Sequence, residues 1–156
     1  MSVSSNPAGF HTVTPYLIVK GAAAAIDFYT SVFGATEVMR MAGPDGAIMH
    51  AEVKIGDSRF YLNDTMPQQK GPKAYGGSPA AFWLYVNDSD SLYNRAVGAG
   101  AKVQMELTDQ FWGDRGGAVS DPEGYTWWIA TRKEDLTQEE VRQRAEEFFR
   151  QMASSS

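Results

Sequence analysis

The stretch SDPEGYTWWIA, residues 120–130, combines a turn signal with two adjacent tryptophans. Residues 121–124, DPEG, are typical of a turn, because proline fixes φ and glycine adopts the left-handed conformation that completes a reversal. A strand should follow this turn. Since neighbouring side chains of a strand point to opposite faces, Trp127 and Trp128 cannot both lie in one core. The stretch therefore predicts a strand with a large aromatic side chain on each face.

The composition is that of a globular protein: the chain has 156 residues, of which 43% are hydrophobic and 21% charged. The net charge of -5 argues against a general affinity for nucleic acid or for anionic membranes. Cysteine is absent, which excludes disulfides, thiolate nucleophiles and cysteine metal ligands. The sequence shows neither a secretion signal nor a run of about 18 apolar residues. We therefore expect a cytoplasmic protein.

Two segments, residues 14–38 and 81–103, repeat the same order of elements. Each runs from an apolar strand-like piece through a helical piece to a Gly-Ala turn and another strand. Apolar side chains recur at helical spacing within each copy. Three strand candidates, the first of them the one after the Gly-Ala turn, follow each predicted helix, so the chain contains an internal repeat.

The repeat predicts an α+β fold made of two βαββ modules, residues 10–63 and 81–132. Residues 64–80, rich in Pro, Gly and Lys, form the predicted linker, for which we expect no core role. Two such modules can pair edge to edge into a cupped eight-stranded mixed sheet, with helices on one face and a cleft on the other. A C-terminal helix over residues 135–153 completes this one-domain protein.

The predicted C-terminal helix begins with a capping box, because Thr137 and Glu140 have the Thr-x-x-Glu spacing. An apolar stripe follows, formed by Val141, Ala145, Phe148 and Met152. This stripe docks either on its own domain or on a second copy of the chain, since an apolar stripe does not identify its partner.

Three motifs carry a family resemblance. They are VKGAAAAIDFY at residues 19–29, DQFWGDR at 109–115 and DPEG at 121–124. The first and last, on a duplicated βαββ unit, resemble the vicinal oxygen chelate superfamily of glyoxalases, bleomycin resistance proteins and extradiol dioxygenases. The resemblance covers residues 12–131, and DQFWGDR further resembles the PhnB-like branch. It also implies a homodimer.

In metal-dependent members, the resemblance implies up to four ligands, two from each module, usually His, Gln or Glu. The matching positions here are Thr14, Tyr61, Ala81 and Trp128. None of them is a normal ligand of a divalent metal. We therefore expect no metal or other cofactor. Trp127 should lie in the core, while Trp128 should face the cleft where a metal enzyme would hold a carboxylate.

The candidate ligand-binding residues are aromatic side chains and one arginine. A groove that stacks flat, partly apolar molecules is predicted from Tyr61, Trp83, Trp112 and Trp128. Trp112 is either a lid or a plug for the end of the barrel. Arg115 aligns with His50 across the repeat, so we expect it to point inward and hold a carboxylate or a planar ring. The alternative is an ion pair with Asp109 or Asp114 that fixes the loop.

His50 and Glu52 are the candidate catalytic residues. They alternate along the strand MHAEVKI, residues 49–55, with an apolar set that should pack on a helix. The pair should therefore face the cleft. It could serve as a general acid or base, as part of an unorthodox metal site with His11, or as polar lining.

These features lead to competing functions. The first is a metal-free protein that binds a planar aromatic or drug-like small molecule in an aromatic-lined cleft. The alternatives are a glyoxalase-like metal-dependent lyase or isomerase, and a metal-free enzyme that uses His50 and Glu52. The fold alone does not choose among them.

Overall fold

The computed structural model describes residues 2–155. Its elements follow in the order β1 (Tyr16–Val19), α1 (Ala22–Phe33), β2 (Thr36–Ala42), β3 (Ile48–Ile55), β4 (Ser58–Asp64), α2 (Pro72–Tyr75), β5 (Ala81–Tyr85), α3 (Ser89–Gly98), β6 (Lys102–Asp109), β7 (Asp114–Ser120), β8 (Thr126–Arg132) and α4 (Gln138–Ser154). The predicted α+β fold of two repeated modules and a C-terminal helix is confirmed; each module has one strand before its helix and three after it, so the repeat is βαβββ and not βαββ. The chain forms two compact units: residues up to Pro79 together with Pro122–Tyr125, and Ala80–Asp121 together with the residues from Thr126 onward.

The first unit is built on a four-stranded sheet in the order β1-β4-β3-β2, in which β1 and β4 are parallel and the other pairs antiparallel. α1 covers one face of this sheet with a buried apolar stripe that includes Ile26, Tyr29 and Val32. The Asp64 carboxylate accepts a hydrogen bond of 2.8 Å from the backbone N–H of Ala22 and so satisfies a donor at the helix start. The helix packs where the module pattern predicts it.

The segment between the modules has more structure than its composition suggested. It contains the short helix α2, whose first residue, Pro72, is buried. Gly71 lies against β1, where an added Cβ would come within 2.7 Å of the backbone oxygen of Ile18. Lys73 forms a 2.9 Å ion pair with Glu123 of the DPEG turn. The expectation of no core role is therefore wrong: this segment packs within the first unit.

The DPEG turn contributes a buried carboxylate to the first unit. Glu123 is 4% exposed and accepts hydrogen bonds from the backbone N–H groups of Lys20, at 2.5 Å, and Gly21, at 3.3 Å. These donors lie at the start of α1, where the helix dipole favours a negative charge. The turn predicted from sequence thus also caps a helix that is distant along the chain.

The second unit repeats the arrangement with a sheet in the order β5-β8-β7-β6. Its helix, α3, is capped by Asp88, whose side chain accepts a 3.0 Å hydrogen bond from the N–H of Ser91. Leu92, Tyr93 and Ala96 form its buried side. This side lies close to β7, because the sheet presents a glycine, Gly117, beneath the helix.

The C-terminal helix, α4, begins with the predicted capping box between Thr137 and Glu140. None of residues 138–154 is buried. Phe148 and Phe149 nevertheless contact the ring of Phe111 in the β6–β7 loop, at centroid distances of 5.1 and 6.0 Å. The helix therefore docks on its own unit through these rings, and both phenylalanines remain partly exposed. Within residues 2–155, no helix is long and apolar enough to cross a membrane.

We predict that Gly117→Ala destabilises the second unit. The added Cβ would lie 2.7 Å from the Met105 backbone oxygen and 2.9 Å from the Tyr93 ring, so the helix and sheet would have to separate. Urea unfolding should show a loss of about 1–3 kcal/mol. Gly98→Ala is the control, because open space surrounds Gly98 at the end of α3, and it should change stability by less than about 1 kcal/mol. Equal effects of the two substitutions would contradict this packing.

Candidate functional site

Trp83 and Trp128 form a parallel pair of rings on one face of the second sheet. The parallel pairing of β5 with β8 places them side by side, with centroids 4.6 Å apart and an interplanar angle of 4°. Trp83 is 43% exposed. Trp127 points to the other face, where it is 2% exposed and its indole N–H donates to Asp121 at 2.8 Å. The predicted strand with one tryptophan on each face is confirmed.

Trp112 approaches this pair from the β6–β7 loop. Its ring centroid lies 6.1 Å from that of Trp83 and 6.4 Å from that of Trp128, and both contacts are steeply inclined. On its other side it meets Phe111 edge to face at 5.0 Å. We call Trp83, Trp112 and Trp128 the tryptophan face. The structure thus brings together three of the four predicted groove aromatics, and the role of Trp112 as a lid or a plug stays a prediction.

A buried carboxylate lies at the edge of the tryptophan face. Asp114 is 4% exposed, and its Oδ2 accepts hydrogen bonds of 2.9 Å from both the Trp112 indole N–H and the Tyr85 hydroxyl. Burial, followed by the hydrogen bond with Asp114, raises the pKa of Tyr85, while a hydrogen bond with Trp83 acts in the opposite direction. The carboxylate is therefore connected to the rings that form the face.

Arg115 does not share the face of Trp128, so the expectation that it points inward is wrong. In the β7–β8 register it lies opposite Thr131, which places its side chain on the α3 side of the sheet. Its guanidinium donates to both carboxylate oxygens of Asp90, at 2.8 and 3.1 Å, and to Asp109 at 3.2 Å. The hydrogen bond with Arg115 lowers the pKa of Asp90. The alternative of an ion pair with Asp109 is confirmed.

The misplacement of Arg115 comes from a slip of one residue in the alignment of the modules. Glu52 and Ala118 hold matching places in the β3–β4 and β7–β8 registers. The counterpart of His50 is therefore Gly116, one residue beyond Arg115. Because side chains alternate along a strand, a slip of one residue exchanges the two faces.

In the first module, Tyr16 and Tyr61 occupy the places that Trp83 and Trp128 hold in the second. Tyr61 is in contact with the ring of Phe10, at a centroid distance of 5.5 Å. The N-terminal segment thus packs over this face of the first unit. Tyr61 lies in a different unit from the tryptophan face, and its predicted role in ligand binding stays a prediction.

His50 and Glu52 share the face of Tyr61, as predicted. The His50 ring lies 4.7 Å from that of Tyr61, and Glu52 is opposite Tyr61 in the β3–β4 register. The Glu52 carboxylate forms an ion pair with Arg59, whose guanidinium also lies 5.4 Å from the centroid of the Phe10 ring. The carboxylate that the enzyme alternatives require is thus already held by a cation of the chain.

The family metal positions do not fit a divalent cation. Thr14, Tyr61, Ala81 and Trp128 offer no carboxylate or imidazole, the donors that such sites use. Among the described residues, no group of three or more His, Asp or Glu side chains is arranged to hold a metal. His11 is exposed and does not complete a site with His50 and Glu52.

Sequence reasoning missed Asp114, whose carboxylate is hydrogen-bonded to Trp112 at the edge of the tryptophan face. It considered this residue only as an ion-pair partner of Arg115. Asp114, Gly116 and Ala118 are each two positions apart, so strand alternation alone puts them on one face. What places that face beside Trp128 is the pairing of Ala118 with Trp128 in the sheet. That register between strands is not visible in the sequence.

The structure defines the class of duplicated α+β proteins, in which each module here carries an aromatic side chain, Tyr61 or Trp128, on its last strand. More specifically, the chain belongs to the Glyoxalase/Bleomycin resistance protein/Dioxygenase superfamily, whose family model matches residues 9–129. The superfamily expected from the sequence is thus confirmed.

Individual proteins agree with this assignment. Mb0911c of Mycobacterium bovis is 40% identical over 146 residues, which cover 90% of this chain and 93% of that protein. TioX from Micromonospora sp. ML1 is 26% identical in sequence, and its crystal structure matches with a TM-score of 0.62. The match covers 81% of this chain and 100% of the TioX chain. The structure of the PhnB protein from Bacillus cereus shares the fold, with a TM-score of 0.65 and 17% sequence identity. The match covers 78% of this chain and 99% of the PhnB chain.

We predict that Trp83 and Trp128 stabilise each other directly. In a double-mutant cycle with Trp83→Leu and Trp128→Leu, the coupling free energy from urea unfolding should be about 0.5–1.5 kcal/mol, because stacked rings contribute beyond their burial. The control cycle pairs Trp83→Leu with Val97→Ala, an exposed residue of α3. It should give coupling below about 0.5 kcal/mol. Additive effects at the two tryptophans would contradict the stacked geometry.

Proposed function

We propose that this protein is a metal-free small-molecule-binding protein that holds a planar aromatic ligand against the tryptophan face. The observation that carries the proposal is the parallel pair of Trp83 and Trp128, with Trp83 43% exposed. Large aromatic side chains are normally buried, so a stacked tryptophan pair with one exposed ring is a feature that function can explain.

The geometry suits a flat ligand. The Trp83 and Trp128 rings already stack on each other, so a planar molecule would stack on the outer face of the exposed Trp83 ring, with the inclined ring of Trp112 beside the pair. A planar molecule on this surface gains the free energy of removing apolar area from water, together with about 0.5–1.5 kcal/mol for each favourable ring pair. Trp83 would therefore provide the stacking surface, and Trp128 behind it would hold the Trp83 ring in place.

Family membership supports a small-molecule site without choosing its chemistry. The family description names glyoxalases, bleomycin resistance proteins and dioxygenases together. Binding and catalysis therefore both occur on this fold, and the choice rests on the residues. The residues at the family metal positions favour binding without a metal.

The enzyme alternatives depend on His50 and Glu52. We rank them second because Arg59 holds the Glu52 carboxylate in an ion pair and the N-terminal Phe10 packs on the neighbouring Tyr61. We also propose that the protein is a cytoplasmic homodimer, to be examined by cell fractionation and by light scattering during size-exclusion chromatography.

We predict that planar heteroaromatic compounds bind to this protein and that Trp83 is required. Isothermal titration with acridine, phenazine and N-methylacridinium should detect binding of at least one of them to the wild-type chain. Trp83→Ser should weaken it by about tenfold or more, because the stacking surface loses one of its two parallel rings. Tyr75→Ser is the matched control: it removes an aromatic residue that is 72% exposed in the first unit and should leave binding unchanged.

Two results would overturn this proposal. The first is the absence of binding for every planar compound of the panel. The second is stoichiometric zinc, nickel or manganese in protein purified without a histidine tag, with loss of binding on chelation. In that case the metal-dependent alternative would take precedence.

A further inference from the structure

Asp114 is a buried carboxylate whose hydrogen-bond partners are aromatic side chains. Its Oδ2 accepts hydrogen bonds from the Trp112 indole N–H and the Tyr85 hydroxyl, each at 2.9 Å. Among residues 2–155, no lysine or arginine forms an ion pair with this carboxylate. A negative charge that is 4% exposed and has only neutral donors is costly to keep, since burial removes hydration that neutral donors replace only in part.

The carboxylate changes how the neighbouring rings interact with a ligand. A ring that donates an N–H or O–H to an anion is polarised, so that its π face becomes more negative. Cations are attracted to the faces of indole and phenol rings, and the attraction increases when the site is desolvated. Trp112 and Tyr85 therefore transmit the charge of Asp114 to the surface that a ligand would contact.

One positive charge lies close enough to oppose this effect. Arg132 is opposite Asp114 in the β7–β8 register. Its guanidinium is paired with the carboxylate of Asp135, however, so its charge is already balanced by that residue. These three side chains together leave one negative charge beside the rings. The net charge of -5 for the whole chain has the same sign.

We infer that the ligand of the tryptophan face is a cationic planar heteroaromatic compound, and that Asp114 selects the cation through the rings of Trp112 and Tyr85. This inference rests on the proposed function and deepens it: stacking holds any flat molecule, whereas the buried carboxylate distinguishes a positively charged one. The ligand charge lies over the ring faces and does not touch the carboxylate.

Three tricyclic probes of similar size test the inference by isothermal titration. They are N-methylacridinium, acridine at a pH where it is uncharged, and anthraquinone sulfonate as the anion. The cation should bind the wild-type chain about tenfold more tightly than the neutral compound, and the anion should bind least, as expected for a desolvated cation–π site. Asp114→Asn keeps an oxygen that accepts the two hydrogen bonds but removes the charge. It should bring the cation to within about twofold of the neutral compound.

Two further variants complete the experiment. Asp109→Asn is the control, because it removes an acidic residue of the same unit that pairs with Arg115 on the other side of the sheet. It should preserve the preference for the cation. Arg132→Gln removes the opposing positive charge and should strengthen cation binding by about threefold. This variant tests the effect of local charge on cation binding even if Asp114→Asn does not fold.

The possible outcomes separate the two proposals. Equal binding of all three probes, or an unchanged preference in Asp114→Asn, would overturn the role of Asp114 and leave the aromatic site intact. Stronger binding of the anion would also overturn it and would assign the selectivity to Arg132. Failure of every probe to bind the wild-type chain would instead overturn the proposed function itself.

Discussion

The register between the first and last strands of each module is the constraint on which the rest of the structure depends. In the second module, the parallel pairing of β5 with β8 sets Trp83 beside Trp128 and Leu84 beside the fully buried Ile129. Because side chains alternate, one register fixes both the core and the opposite face. A slip of one residue would move Trp127 out of the core and push Trp128 towards α3. The packing of the core therefore holds the tryptophan face in position.

Features that depend on local patterns were predictable from the sequence. The capping box of α4, the DPEG turn and the order of strands and helices each follow from residues that are close together in the chain. The opposite orientation of Trp127 and Trp128 followed from strand geometry alone. The superfamily resemblance identified the four positions, Thr14, Tyr61, Ala81 and Trp128, at which metal-dependent members hold their ligands. The fold class and the aromatic nature of the candidate site could thus be read without coordinates.

Features that depend on contacts between distant segments were not predictable. Arg115 was assigned to the wrong face because the alignment of the modules was shifted by one residue, and only the β7–β8 register corrects it. The partners of Asp114 come from β5 and from the β6–β7 loop, so no single motif contains them. The packing of α2 likewise needs β1 and the DPEG turn. In each case the missing information was which strand or turn lies next to which.

The two modules carry a carboxylate at different strand positions, Glu52 in β3 and Asp114 in β7, and they differ in how its charge is balanced. In the first, Glu52 lies beside Tyr61, and the chain supplies both a cation and an aromatic ring there, since Arg59 pairs with Glu52 and also contacts Phe10. In the second, Asp114 is bonded to Trp112 and Tyr85, and no cation pairs with it among the described residues. The first arrangement is electrostatically complete within the protein. The second has a carboxylate without a cation and a stacked pair with one exposed ring, which are the two components that a cationic aromatic ligand would satisfy together.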